Sequence, residues 1–196
     1  MATPRPDRPT DSLFFAVYPD AAAVARIGER AGRLRAELAL KARPIPPERL
    51  HITLHYLGAF AGVPADTLAA ARAAASSVHM PSFDVTLDRV ETFATRRPKR
   101  PLVIAGEPGD AFSAFVDRLD KSLQSVGIFV KSHPRFIPHV TLLYGEPRVA
   151  PQAIEPITWT VREFALVRSL LGRSEHHVIE RWPLDASEPA PSEYRE

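Results

Sequence analysis

His51-Ile52-Thr53-Leu54 and His139-Val140-Thr141-Leu142 are two copies of one tetrapeptide pattern, and their reading decides the fold. Successive side chains on a strand point to opposite faces, so a histidine and a threonine two places apart look the same way. His51 and Thr53 therefore share a face, with Ile52 and Leu54 turned into the layer behind, and His139 and Thr141 stand likewise against Val140 and Leu142. Each copy lies in an apolar stretch suited to a strand, residues 50–57 closed by Gly58 and residues 138–144 followed by Gly145. A lone H-x-T is common and usually structural. Two copies in matched surroundings point to a site.

Upstream of the first copy, Phe14-Phe15-Ala16-Val17-Tyr18 reads as a buried strand, and Asp20, after Pro19, as a helix N-cap. Val24, Ile27, Ala31, Leu34 and Leu38 then recur at spacings of three and four, the stripe of an amphipathic helix that Pro44-Ile45-Pro46-Pro47 ends. The plan repeats ahead of the second copy. Leu102-Val103-Ile104-Ala105 reads as a strand, Phe112, Phe115, Leu119, Leu123 and Val126 as a helical stripe, and Gly127 as its stop. Phe14 and His51 are 37 positions apart (51 − 14), and so are Leu102 and His139 (139 − 102). The chain thus reads as a duplicated strand–helix–loop–strand unit, with repeats at about 12–100 and 101–184. A further helix is expected to start at Pro64, and further strands at 83–87, 157–167 and 178–182. Residues 1–11 and 186–196, rich in Pro, Ser and acidic residues, are expected to be disordered tails around one domain, 12–185.

With 196 residues, 45% hydrophobic and 24% charged, the composition is that of one soluble globular domain. No apolar stretch approaches the roughly 18–20 residues that span a bilayer, and the first residues lack the apolar run of a secretory signal. A cytoplasmic protein without membrane contact is expected. Cysteine is absent, which excludes a disulfide framework and a thiolate metal site. A net charge of +2, from 25 basic and 23 acidic residues, does not by itself mark a nucleic-acid binder. Arg96, Arg97, Lys99 and Arg100 form a local basic cluster that either holds phosphates or is a solvated loop.

Two H-x-T strands related by a pseudo-twofold would set two imidazoles on either side of one cleft. That suits phosphodiester cleavage without a metal or other cofactor: one neutral histidine takes a proton from water and one protonated histidine gives a proton to the departing oxygen. The hydroxyls of Thr53 and Thr141 can donate to the non-bridging phosphate oxygens as charge builds there. Arg135 and Phe136 precede the second copy closely enough to reach a substrate, the first by its charge and the second by stacking on a base, although Phe136 reads equally well as core. His55 should share the face of His51 and Thr53. It cannot join His51 on a metal, because four residues of strand span about 13 Å, so it is read as a rim residue. His176-His177 are adjacent and read as part of a solvated turn after Gly172.

The sequence resembles the 2H phosphoesterase superfamily, and within it the RNA 2′,3′-cyclic phosphodiesterases, also called 2′-5′ RNA ligases. The resemblance is carried by residues 13–17, by residues 50–58 around His51, by Phe136-Ile137-Pro138-His139-Val140-Thr141-Leu142, and by Ser169-Leu170-Leu171 with Glu180-Arg181-Trp182-Pro183-Leu184. It implies a bilobal α+β fold, two antiparallel sheets flanking a central cleft with helices outside. It implies hydrolysis of a 2′,3′-cyclic phosphate on RNA to a 2′-phosphomonoester, with His51 as proton donor and His139 as proton acceptor. Many members carry an arginine shortly after the second motif, where this chain has Leu143-Tyr144-Gly145, so that phosphate contact is either absent or supplied by Arg135 or by the cluster containing Arg97 and Arg100. The expected partner is an RNA or nucleotide with a cyclic phosphate end, met by a monomer. Nucleotide cyclic phosphates, 2′-5′ linked oligonucleotides with minor reverse ligation, and a binding module without turnover remain alternatives.

Overall fold

The computed structural model describes residues 8–95, 99–130, 136–145 and 148–185. Its elements run β1 (Asp11–Val17), α1 (Ala21–Glu37), β2 (Ile52–Phe60), α2 (Ala65–Ser76), β3 (Phe83–Thr92), β4 (Arg100–Ala105), α3 (Asp110–Ser125), β5 (His139–Gly145), β6 (Gln152–Val161), β7 (Glu163–Leu170) and β8 (Glu175–Pro183). The strands build two four-stranded antiparallel sheets, ordered β2-β1-β7-β8 and β5-β4-β3-β6. This is the expected α+β fold.

β1 shows why its sequence is an unbroken apolar run. Leu13, Phe15 and Val17 face the main core, while Phe14 and Ala16 join Ala165 and Val167 in a small apolar cluster on the other face. A strand covered on both sides has no polar face to alternate with. Asp20 caps α1 as expected, its carboxylate accepting the Ala23 N–H at 2.8 Å, and Ile27, Ala31 and Leu34 are buried. α3 buries Phe112, Phe115, Leu119 and Leu123, and Gly127 follows it at φ +80, the left-handed conformation that glycine adopts without strain. α1 lies against β5 and β6, and α3 against α2 and β3.

Several boundaries differ from the sequence reading, each for a local reason. Asp11 does not belong to a tail: it opens β1, is buried, and receives hydrogen bonds from Arg168 and Thr10. Pro64 caps α2 from outside, and the helix starts at Ala65. Gly58 lies within β2 rather than closing it; at φ +139 it adjoins a bulge at Leu57, where Leu13 pairs with Gly58 and Phe14 with Tyr56. The single strand expected at 157–167 is two, broken at Arg162. Burial of Ile157, Trp159 and Val161 keeps a period of two that Phe164 and Leu166 resume out of phase, because the chain changes sheet there.

The duplication is real at the level of β1-α1-β2 and β4-α3-β5, yet its halves do not close separately. β3 leaves the first segment to pair with β4, while β7 and β8 return from the second to complete the sheet of β1 and β2. The register also corrects the matched spacing. Leu102 faces Leu143 as Phe15 faces His55, so Leu102 is the counterpart of Phe15 and not of Phe14. The crossing segments meet in backbone hydrogen bonds: Leu184 N–H to the Arg162 carbonyl, Ser82 N–H to the Asp185 carbonyl and Asp185 N–H to the Met80 carbonyl.

Candidate active site

The two histidine strands bring their motifs to one open cleft of about 370 Å³, lined by His51, Thr53 and Tyr56 from the first motif and by His139, Thr141 and Tyr144 from the second. Phe14, Ile45, Arg49, Ser12, Ser169 and His176 complete the wall. Ile52, Leu54, Val140 and Leu142 are buried behind, as strand alternation requires.

Alternation then fails at the same place in both copies. Phe15 pairs with His55 and Ala16 with Thr53, leaving Leu54 as a bulge; Leu102 pairs with Leu143 and Val103 with Thr141, leaving Leu142 as a bulge. One extra residue reverses every side chain beyond it. His55 is therefore not on the rim: it is buried on the core side and its Nε2–H donates to the Val116 carbonyl at 3.3 Å. The same reversal turns Tyr56 and Tyr144 to the cleft, 55% and 51% exposed, where their flat faces are free to stack. Sequence reasoning missed both, although each stands five residues after its histidine. The carbonyl of bulged Leu142 accepts the Ile45 N–H at 2.6 Å, tying the loop before β2 to the second motif.

Both imidazoles are fixed the same way. Nδ1 of His51 lies 2.7 Å from the Arg49 carbonyl, and Nδ1 of His139 lies 2.8 Å from the Ile137 carbonyl. A carbonyl only accepts, so each ring carries its proton on Nδ1 when neutral and keeps Nε2 for chemistry. Nε2 of His51 stands 3.1 Å from the Thr53 hydroxyl. Phe14 stacks on His51 at 5.2 Å and Phe93 meets His139 edge-on at 4.7 Å. Burial pushes both rings below the ordinary histidine value, and the backbone acceptors oppose it. Neighbouring charge then separates them: Arg49 and His139 lower His51 further, whereas Glu91 raises His139.

The remaining candidates divide. His176 is not in a solvated turn. It lies on β8, its ring 5.3 Å from that of His51, and burial followed by the charges of His51, Arg49 and His177 brings it down to about 4. His177 points away and is exposed, as adjacent strand residues must. Phe136 packs rather than lining the cleft, its ring stacked on Phe112 at 5.4 Å, so the core alternative holds. Arg100 begins β4 opposite Gly145 and is outside the lining. Arg96, Arg97 and Arg135 lie outside the described residues. Among the described residues no group of three or more His, Asp or Glu side chains is placed to hold a metal ion, and no helix is long and apolar enough to cross a membrane.

Two H-x-T strands facing one cleft across a pseudo-twofold define a two-histidine phosphoesterase fold. The chain belongs to the 2′-5′ RNA ligase superfamily, whose family model matches residues 19–173. Among solved structures it is similar to LigT of E. coli, at 26% identity with a TM-score of 0.66 over 90% of this chain and 99% of that one. It is also similar to LigT complexed with 3′-AMP, at 28% identity with a TM-score of 0.68 over the same shares. The protein TT0787 of Thermus thermophilus is similar at 25% identity, with a TM-score of 0.73 over 90% and 100%. No curated protein matches the sequence.

Proposed function

We propose that the protein hydrolyses 2′,3′-cyclic phosphate ends of RNA to 2′-phosphomonoesters without a metal. The supporting observation is the pair of motif histidines in one cleft, each held through Nδ1 by a carbonyl two residues back, with Nε2 left for proton transfer. Water adds to phosphorus and gives its proton to His139 as the P–O3′ bond breaks and His51 protonates O3′. Thr53 and Thr141 donate hydroxyls to the non-bridging oxygens, where charge accumulates. Tyr56 and Tyr144 offer faces to a base without reading its edges, which suits RNA ends of any sequence.

The donor and acceptor roles follow the resemblance. In the free protein the local charges lean the other way, since Glu91 favours a proton on His139 and Arg49 disfavours one on His51. Substrates with different leaving groups resolve that opposition. The reaction itself is tested by offering cyclic nucleotides, RNA with a cyclic phosphate end and a 2′-5′ linked oligonucleotide in parallel, with the product phosphate located by NMR. A 2′-phosphate from the cyclic substrates is expected. Binding of all three without turnover would leave a binding module instead.

A further inference from the structure

Arg49 is the single lining residue of the cleft, among the described residues, that carries a permanent charge. It ends the short turn Pro47–Arg49 just ahead of the first motif, and its carbonyl is the one that holds His51. Arg26, Arg72, Arg89, Arg168 and Arg181 each pair with a carboxylate. Arg49 pairs with none among the described residues; its Nη2 instead meets Nε2 of His176 at 3.5 Å. A guanidinium only donates, so that ring nitrogen presents its lone pair, and His176 is a neutral acceptor. Arg49 Nε is buried with no hydrogen-bond partner among the described residues. A half-buried cation on the cleft wall, beside a neutral ring and with no carboxylate partner among the described residues, suits an anion in the cleft. The counterpart of Arg49 in the second repeat is Ile137, whose carbonyl holds His139, so the charge stands on one wall only.

We propose that Arg49, steadied by His176, grips the non-bridging oxygens of the phosphate on which His51 and His139 act. The cation comes from the wall of the first motif; among the described residues the second motif lends the cleft no permanently charged side chain. Arg49 is a substrate-binding residue, and His176 is a positioning residue that acts through it. The identity of the substrate rests on the function proposed above; the anion does not.

The test titrates the wild type and the variants Arg49→Gln, Arg49→Met, Arg49→Lys, His176→Leu and His176→Gln with adenosine 2′-monophosphate and with inorganic phosphate. KM for a 2′,3′-cyclic nucleotide is measured in parallel, with thermal melts to check folding. Loss of a charged hydrogen-bonded contact should weaken binding of both probes and raise KM by about 10- to 100-fold in the Gln and Met variants. Arg49→Lys should be intermediate, because it keeps the charge and loses the fork. His176→Leu should weaken binding several-fold, whereas His176→Gln, whose amide oxygen can accept from the guanidinium, should recover most of it. A folded Arg49→Gln or Arg49→Met variant with wild-type affinity overturns the proposal, and wild-type affinity in His176→Leu removes the positioning role. A wild type inert towards cyclic phosphates that still binds phosphate through Arg49 would defeat the proposed reaction alone. An active wild type whose Arg49 variants bind unchanged would defeat this inference alone.

Discussion

Replacing Gly106 with alanine should damage folding and turnover together. Gly106 follows the last residue of β4, and its N–H donates to the Pro138 carbonyl at 3.1 Å, next to His139. A methyl group there would lie 2.0 Å from the Thr86 carbonyl oxygen and 3.1 Å from Cα of Leu87. Both are backbone atoms of β3 and cannot swing aside, so the strands must part by about 1.5 Å to restore an ordinary contact. Overpacking typically costs about 1–3 kcal/mol, occasionally more, and a rigid backbone contact belongs at the upper end. At about 2–4 °C per kcal/mol for a chain of this size, Tm should fall by roughly 6–12 °C. Ala105 pairs directly with His139, so the displacement reaches the imidazole, and about 1 Å of misplacement can cost about 100-fold in rate. Gly28→Ala and Gly32→Ala are the controls. Both glycines stand on the exposed side of α1 with nothing within 4 Å, and alanine there should add about 0.5–1 kcal/mol each. Thermal melts paired with kcat/KM decide the matter. A Gly106→Ala protein with the wild-type melting point and turnover would refute the reasoning.

His51→Ala and His139→Ala should each lower turnover by about 10²- to 10⁴-fold, and a substrate with a far better leaving group should rescue only the variant that lost the acid. Rescue of His51→Ala supports the roles given above, and rescue of His139→Ala reverses them. Because burial lowers both rings, the alkaline limb of kcat/KM against pH should fall below about 6.5, the ordinary histidine value; a limb above 7 contradicts this. The same depression means that the unfolded chain binds more protons, so stability should fall as pH drops from about 6.5, with His176 still contributing down to about 4. Tyr56→Ala and Tyr144→Ala should raise KM for a cyclic-phosphate RNA end by about 5- to 100-fold, the usual worth of stacking one base; an unchanged KM in both variants would place the base elsewhere. Turnover should survive prolonged chelation, and a preparation silenced by EDTA and revived by zinc or magnesium contradicts the mechanism.

Much of the site was legible because the motif pairs chemistry with strand alternation. His51, Thr53, His139 and Thr141 were found from their types and spacing, and all four line one cleft. Beyond Thr53 and Thr141 the legibility stops at the bulges. Period two, carried through Leu54, misplaces His55 on the rim and hides Tyr56, yet nothing in Leu54 itself marks an extra residue. The recurrence of a tyrosine at the same offset in both copies is the signal that the sequence does carry. Arg49 and His176 were illegible for another reason. They meet only because β8 returns to the sheet of β2, a pairing set by long-range topology that no local pattern records. The break at Arg162 was readable in the phase of the buried residues, and the exchange of strands between sheets was not.

The exchange of strands has a mechanical consequence. An enzyme whose lobes hang on a single connector can clamp down on its ligand and let go again. Here the segments that pass between the sheets are fastened to one another where they cross, at Met80, Ser82, Arg162, Leu184 and Asp185. Such a seam resists a jaw-like motion. The two histidine walls are therefore expected to keep their spacing when an anion enters, with any adjustment left to the rings of Tyr56 and Tyr144.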